Sequence, residues 1–278
     1  MQKPRIDLDT PDWKGHWALV TGASSGIGRE YCQQLASKGL NVVLVARREE
    51  RLRDLAAEIE SQFGVRTLVI VSDLADPSAA KRVKDALDTA DVRVRLLVNN
   101  AAFGRWGRIE LHAPELYQAM IQVDVAAPTR LALEFFPHLA SLAPSALIML
   151  SSPAALQPVP YMAVYAAAKA YIHALGQALY GEWSERGILV QTLVPGPTAT
   201  EFDEIAGAYD SAIQKRGRAE EVVRASLRAL AAGEPVVWQA RNTLAQRLFA
   251  LLPAPWVLRK VARMFAPPDQ QARVGGKS

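Results

Sequence analysis

Short apolar runs alternate with longer amphipathic stretches through most of the chain. The apolar runs predict strands of a parallel sheet, because helices cover both faces of such a sheet and its strands are apolar throughout. These runs are residues 17–21, 41–46, 67–72, 95–98, 146–152, 188–194 and 234–238. The amphipathic stretches predict helices, a first one ending at residue 38 and others at 49–63, 77–90, 114–139, 162–185 and 220–232. This alternation predicts an α/β fold, a doubly wound parallel sheet of the Rossmann type with its ligand crevice at the carboxyl ends of the strands.

The pattern divides the chain into one domain with short additions. Residues 1–13 are polar and predict an N-terminal tail, and residues 14–240 form the predicted α/β domain with its cofactor and catalytic sites. Residues 241–265 alternate apolar and basic side chains, which predicts a helical extension that Pro253 and Pro255 divide into two helices. Such a helix pair can cover the substrate pocket or a partner subunit, an arrangement we favour over peripheral membrane contact. Residues 266–278 have the composition of a flexible tail.

Length, charge and the numbers of histidine and cysteine residues indicate which kinds of partner and cofactor to expect. The chain has 278 residues, half of them hydrophobic, which is enough for one sizeable core. The formal charge of +4 is mild and its basic residues are spread along helices, so nucleic acid is not an expected partner. The four histidines lack ligand spacing, and we expect no metal. A single cysteine, Cys32, and the lack of an apolar leader or membrane-spanning run favour a cytoplasmic protein.

A glycine-rich turn joins the first predicted strand to the first helix. Gly22, Gly26 and Gly28 follow Thr21 with the spacing TGxxxGxG. Glycines at such a turn let the backbone approach a diphosphate, whose charge is met by the amides of the helix N-terminus. The same residues also match GxSxG, with Ser24 at the position of a hydrolase nucleophile. That interpretation is not favoured, because no earlier strand supplies an oxyanion loop and no histidine follows His173.

Three side chains form a candidate acid–base site. Tyr165 and Lys169 are four residues apart in an alanine-rich helical stretch and therefore share a face. A neighbouring ammonium favours phenolate, so we expect a lowered tyrosine pKa and a phenol that serves as proton donor. Ser152 ends a predicted strand thirteen residues earlier and could hold a substrate oxygen from the other side.

Cofactor choice is predicted from the end of the second strand, which lies near the adenosine ribose in dinucleotide-binding folds. Arg47 occupies that position, where an acidic residue would accept bonds from a free ribose hydroxyl. A guanidinium can hold a phosphate through paired donors, which favours NADP(H) over NAD(H). The alternative is that Arg47 or Arg48 only begins a solvated helix.

Five motifs in this order resemble the short-chain dehydrogenase/reductase family over roughly residues 14–238. They are the TGxxxGxG turn, Asn99-Asn100-Ala101, Ser152, Tyr165 with Lys169, and Pro195-Gly196. The resemblance implies hydride transfer between a nicotinamide cofactor and a carbonyl or secondary alcohol, with Ser152, Tyr165 and Lys169 catalytic. It also implies a homodimer or homotetramer paired through the helices at 114–139 and 162–185. The implied cofactor-binding residues are Gly22, Ser24, Ser25, Gly26, Ile27, Gly28, Arg47, Asp73, Leu74, Asn100, Ala101, Tyr165, Lys169, Pro195, Gly196, Thr198 and Thr200.

The chain departs from the family pattern at two positions. Ala102 replaces a glycine after Ala101, and Asp124 replaces an asparagine that holds a water in the proton path to the lysine. An anion near Lys169 would oppose formation of phenolate at Tyr165, although Asp124 could still hold that water. This departure motivates an alternative function, a cofactor-binding regulatory protein without turnover.

The substrate is expected to be hydrophobic. The residues assigned to its pocket are Phe103, Trp106, Leu156, Met162 and Phe202. Residues 201–214 are weakly patterned and are predicted to form a lid over this pocket.

Overall fold

Seven strands form one sheet in which every neighbouring pair is parallel. The computed structural model describes residues 4–207, 216–239 and 254–267. The strands are β1 (Trp17–Thr21), β2 (Asn41–Ala46), β3 (Thr67–Val71), β4 (Val94–Asn99), β5 (Ser145–Leu150), β6 (Ile188–Val194) and β7 (Val236–Trp238). Their order in the sheet is β3-β2-β1-β4-β5-β6-β7. The order reverses between β1 and β4, which opens a ligand crevice at their carboxyl ends, as the sequence predicts.

Helices cover both faces of the sheet and bury two apolar layers. They are α1 (Gly26–Ser37), α2 (Glu49–Phe63), α3 (Ala79–Thr89), α4 (Pro114–Ile121), α5 (Ala127–Ser141), α6 (Ala163–Trp183), α7 (Phe202–Ala206), α8 (Ala219–Ala232) and α9 (Ala254–Phe265). One layer lies under α1, α2 and α8, and the other under α3, α5 and α6. Strands β4, β5 and β6 are buried along their whole length, which explains why most of their residues are apolar.

The segment before β1 packs against the domain. Ile6, Leu8 and Trp13 are buried in the first apolar layer, and the Ile6 amide donates to the carbonyl of Leu230 at 2.9 Å. The guanidinium of Arg95 lies over the Trp13 ring, 4.2 Å from its centroid. Residues 4–13 therefore contribute to the core, although their composition predicts a tail.

The helix expected at 114–139 is interrupted. Helix α4 ends at Ile121, a π-helical turn spans Gln122–Ala126, and α5 begins at Ala127, whose amide donates to the carbonyl of Gln122. Pro128 has no N–H to continue an α-helical bond to the carbonyl of Asp124, which explains the wider turn. Such turns are frequent at functional sites, and this one carries Asp124.

The C-terminal part of the extension lies over the domain as a single helix. Val257 and Val261 of α9 are buried against Val159 and Ala166. The first of the two predicted helices falls in residues 240–253, outside the described residues, as does part of the predicted lid at 208–215 and the predicted tail from 268 onward. Within the described ranges, no helix combines the length and apolar composition that a bilayer crossing requires.

Candidate active site

A crevice of about 1570 Å³ follows the carboxyl ends of the strands. The turns after β1, β2, β3, β4, β5 and β6 all contribute to its walls. Among the described residues, it is lined by most of the predicted cofactor-binding and catalytic side chains. These are Gly22, Ser24, Ser25, Gly26, Ile27, Arg47, Asp73, Leu74, Asn100, Ala101, Ser152, Tyr165, Lys169, Pro195, Gly196, Thr198 and Thr200.

The glycine-rich turn is too tightly packed for side chains. Gly22 has φ of 67°, a conformation that residues with a side chain rarely adopt, and Gly26 has φ of 54°. A Cβ on Gly28 would lie 2.3 Å from the carbonyl oxygen of Gly22, so this glycine packs the start of α1 against the turn. Gly28 therefore supports the turn and does not line the crevice.

Thr21 and Asn100 fix the two central strand ends together. The Thr21 hydroxyl accepts the amides of Asn100 and Ala101, each at 3.0 Å. The Asn100 side-chain amide donates to the carbonyl of Thr21 at 2.7 Å. These bonds hold a bare backbone surface at the start of α1, where the helix amides favour an anion, so the residues present fit a dinucleotide diphosphate.

Ser152, Tyr165 and Lys169 converge at the other end of the crevice. Helix α6 carries Tyr165 and Lys169 on one face, with the Lys169 ammonium 5.6 Å from the centroid of the tyrosine ring. Ser152 follows β5 after one intervening residue, and its hydroxyl is close enough to the phenol of Tyr165 to influence the tyrosine pKa. The Lys169 ammonium also donates to the carbonyl of Leu150 at 3.2 Å, which fixes the lysine beneath the site.

The pKa of Tyr165 differs from the expectation. Burial raises the pKa of the phenol, and its hydrogen bond with Ser152 lowers it by less. The charge of Asp124 raises this pKa further, as expected of an anion in this position. The pKa of Tyr165 is therefore raised and not lowered as predicted, because burial dominates and the charges of Asp124 and Asp203 add to it.

Asp124 lies beneath the crevice wall beside Lys169. Its Oδ1 accepts the amide of Phe103 at 3.0 Å, and its Oδ2 is 3.7 Å from the lysine ammonium. The side chain is fully buried, and burial raises the pKa of Asp124 to about 6, against the lowering effect of Lys169. Burial lowers the pKa of Lys169, while the charge of Asp124 raises it. The pair thus adds a titrating carboxyl directly behind the candidate proton donor.

Arg48, adjacent to the predicted Arg47, is the arginine that turns into the crevice. Its guanidinium donates to the hydroxyl of Ser24 at 2.9 Å and to that of Ser25 at 2.8 Å. It also donates to the Glu201 carboxylate at 2.6 Å. The Arg47 side chain is 68% exposed and lies 4.0 Å from the Asp73 carboxylate. The sequence places two adjacent arginines, Arg47 and Arg48, after the second strand. Their position at the strand end does not show which of the two side chains contacts Ser24 and Ser25.

Apolar side chains close the crevice above Tyr165. Phe103, Trp106, Met162 and Phe202 line it as predicted. Leu156 does not, because the turn Pro153–Leu156 directs successive side chains to different sides and only Pro153 and Ala154 of that turn face the crevice. The extension supplies two lining residues that the sequence did not identify, Met264 and Phe265.

Loop 103–112 connects helices α7 and α9, which both lie over the apolar part of the crevice. The Trp106 amide donates to the carbonyl of Ala206 in α7 at 2.9 Å. The Trp106 indole donates to the carbonyl of Phe265 in α9 at 2.8 Å. One residue therefore holds both α7 and α9 over the site.

The fold and the crevice define a dinucleotide-binding protein of the doubly wound α/β class, with a serine, a tyrosine and a lysine at the reacting end. The family model for short chain dehydrogenase matches residues 16–208. The chain belongs to this family of oxidoreductases.

The curated relatives include proteins named as reductases and a protein named as inactive. The chain is 29% identical over 197 residues to a very-long-chain 3-oxoacyl-CoA reductase of Bos taurus, covering 69% of this chain and 62% of the relative. It is 34% identical over 190 residues to an inactive hydroxysteroid dehydrogenase-like protein 1 of Homo sapiens, covering 67% of this chain and 57% of the relative. The matches thus span about three fifths of these relatives' length.

Solved structures match almost the whole chain. A short-chain dehydrogenase from Sphingobium yanoikuyae in complex with NADPH superposes with a TM-score of 0.78 and 30% identity, covering 95% of this chain and 96% of the other. A 7beta-hydroxysteroid dehydrogenase superposes with a TM-score of 0.79 and 27% identity, covering 92% and 100%.

Proposed function

We propose that the protein is an NADP(H)-dependent oxidoreductase acting on a carbonyl or secondary alcohol of a hydrophobic substrate. The observation that carries this proposal is the meeting of Ser152, Tyr165 and Lys169 at one end of a crevice whose other end is the glycine-rich turn. When bound, the nicotinamide cofactor supplies or accepts the hydride.

The crevice offers complementary groups along the length of a dinucleotide. The start of α1 and the turn at Gly22 and Gly26 would hold the diphosphate. Arg48, with Ser24, Ser25 and Arg47, would hold a 2′-phosphate, because a guanidinium and hydroxyls donate bonds that a phosphate accepts. Asp73, Leu74, Asn100 and Ala101 would border the adenosine. The turn Pro195–Thr200 would meet the nicotinamide.

Tyr165 would act as the general acid and base. Its hydroxyl and that of Ser152 would both bond the substrate oxygen and fix its orientation. Tyr165 would give its proton to the oxygen in reduction and take it back in oxidation. The raised pKa of the buried phenol keeps it protonated at neutral pH, which suits reduction. Lys169 and Asp124 lie behind the phenol and would return its proton.

The substrate enclosure favours an apolar compound. Phe103, Trp106, Met162 and Phe202 meet at the reacting end, and Met264 and Phe265 of the extension add to them. The similar proteins include a very-long-chain 3-oxoacyl-CoA reductase and a 7beta-hydroxysteroid dehydrogenase, whose names refer to a long acyl chain and to a steroid. We therefore place bulky ketones and their alcohols first among the candidate substrates.

The proposal is tested by a panel of ketones, aldehydes and secondary alcohols with each nicotinamide cofactor, followed by nicotinamide absorbance. We expect NADPH oxidation with an apolar ketone. Failure of every panel member with both cofactors would contradict the proposal.

A second candidate is a cofactor-binding protein without turnover. Two observations favour this candidate. Asp124 lies beside Lys169, and one of the similar proteins is named as inactive. NADPH binding without oxidation across the panel would support this candidate. The hydrolase interpretation loses its basis, because Ser24 accepts bonds from Arg48 and no histidine is found among the described residues that line the crevice.

Assembly and location remain predictions. A homo-oligomer and a cytoplasmic location are both proposed. No group of three or more His, Cys, Asp or Glu side chains among the described residues could hold a metal ion.

A further inference from the structure

A carboxylate already occupies the cationic end of the crevice. Glu201 precedes α7 and places one oxygen 2.6 Å from Arg48 and the other 2.5 Å from Arg51. Hydrogen bonds from these two arginines lower the pKa of Glu201, so it is anionic at neutral pH. The Arg48 guanidinium that donates to Glu201 also donates to the hydroxyls of Ser24 and Ser25. Glu201 therefore stands where the donors for a cofactor phosphate converge.

The next residue along the chain covers the catalytic phenol. The ring of Phe202 lies 5.1 Å from that of Tyr165, measured between centroids. A Cβ on Gly104 would lie 2.8 Å from the Phe202 ring, so the ring fills the space between loop 103–112 and Tyr165. On the other side of Glu201, the Thr200 side chain packs against the glycine-rich turn, where a Cβ on Gly26 would lie 2.8 Å from it. The segment Thr200–Phe202 thus contacts the cofactor end and the substrate end at once.

We propose that Glu201 competes with the 2′-phosphate of NADPH for Arg48 and Arg51, and thereby couples cofactor binding to the position of Phe202 over Tyr165. A phosphate dianion and a carboxylate repel each other, and both seek the same guanidinium donors. The phosphate has the larger charge and displaces the carboxylate. A free 2′-hydroxyl has no charge with which to do so. This inference rests on the proposed use of NADP(H).

Displacement of Glu201 frees one of the ties of α7. Among the described residues, α7 is also held by the ion pair of Asp203 with Arg216 and by the bond from the Trp106 amide to the carbonyl of Ala206. Gly207, with φ of 72°, ends the helix and can absorb a change of direction. NADPH therefore opens the space above Tyr165 that Phe202 fills, and the substrate binds after the phosphorylated cofactor.

The competition for the arginines is tested by binding measurements, which require no turnover. Calorimetry gives the dissociation constants of NADPH and NADH for the unchanged protein, Glu201→Gln and Glu204→Gln. The last variant is the matched control, because Glu204 lies on the same helix, is exposed and does not line the crevice. We expect Glu201→Gln to bind NADPH about fivefold more tightly, the scale of one ion–ion repulsion near 4 Å in water. NADH should change less than twofold, and Glu204→Gln should match the unchanged protein.

The outcomes separate this inference from the cofactor assignment. Equal affinity of the unchanged protein for NADPH and NADH contradicts the assignment itself. A preference for NADPH that Glu201→Gln weakens, or an equal gain for both cofactors, contradicts the competition alone. Glu201→Ala should also bind NADPH more tightly than the unchanged protein, with little change for NADH. Agreement between the two variants excludes a folding defect in one of them as the cause. In steady-state assays, the substrate KM with NADH should fall in Glu201→Gln toward the value with NADPH, and an unchanged KM contradicts the coupling to Phe202.

Discussion

The carboxylate of Asp124 lies between the backbone amide of Phe103 and the ammonium of Lys169. Its pKa of about 6 means that it loses its proton within the range in which an enzyme is assayed. Above that pH its charge opposes phenolate formation at Tyr165. The apparent pKa values belong to the set of three groups and not to one of them.

Asp124→Asn should therefore move the pH profile. Without the carboxylate charge, the oxidation rate should reach its plateau at lower pH, because phenolate forms more easily. Oxidation rates measured against pH for both proteins check this. Superimposable profiles would remove Asp124 from the proton path.

The same substitution should change stability in a pH-dependent way. The folded-state pKa of Asp124 is raised above its unfolded value, so its contribution to stability is full below pH about 4 and is lost as pH rises through about 6. Asp124→Asn has no such loss. Its free energy of unfolding relative to the unchanged protein should rise by about 1 kcal/mol from pH 5 to pH 8. Denaturant unfolding at both pH values measures this, and a constant difference would contradict a buried, titrating carboxyl.

Arg48 and Arg47 differ in how far they turn toward the crevice. Arg48→Gln removes a guanidinium held by Ser24 and Ser25 and should weaken NADPH binding by about 1.5–3 kcal/mol, the scale of a hydrogen bond to a charged group. Arg47→Gln is the matched comparison and should cost less, because its side chain is mostly exposed. Calorimetry with NADPH and NADH checks both, and equal losses for the two cofactors in Arg48→Gln would contradict a phosphate contact.

Among the helices, α9 of the extension contributes Met264 and Phe265 to the crevice. Val257 and Val261 attach it to Val159 and Ala166. Changing both valines to alanine removes four buried methyl groups, each contributing about 0.8 kcal/mol. The KM for an apolar ketone should rise severalfold, with the NADPH dissociation constant unchanged. Leu258→Ala, on the exposed side of α9, serves as the control, and equal KM values in all three proteins would contradict a role of α9 in the pocket.

The elements show how far the sequence determines this fold. The strands were predictable to within one or two residues, because a strand buried on both faces must be apolar throughout. The break at Gln122–Ala126 was not, because a proline such as Pro128 can also begin a new helix or kink a continuous one, and the sequence alone does not distinguish these from a π-helical turn. The contact between Arg48 and Glu201 was missed because the two residues are 153 positions apart in the chain. Ser152, Tyr165 and Lys169 could be predicted because their spacing along one strand end and one helix is local.

At the scale of the whole molecule, exposed apolar residues on α5 and α6 favour the proposed homo-oligomer. Leu133 is 61% exposed, and Tyr171 lies within hydrogen-bonding distance of Thr129 across the two helices. Leu133→Glu should convert an oligomer to monomers, because a buried unpaired carboxylate is costly. Light scattering after gel filtration measures the mass. Val71→Glu on the edge strand β3 is the control, and unchanged mass in Leu133→Glu would contradict this interface.

Tyr165 is the proposed proton donor of the oxidoreductase site. Tyr165→Phe removes the hydroxyl and keeps the ring that packs against Phe202. Turnover of a panel substrate should fall by about 10²–10⁴-fold, the usual loss of general acid–base help, with the NADPH dissociation constant nearly unchanged. Tyr171→Phe, on the same helix, should retain full activity. Retention of most activity in Tyr165→Phe would contradict the role of Tyr165 as proton donor.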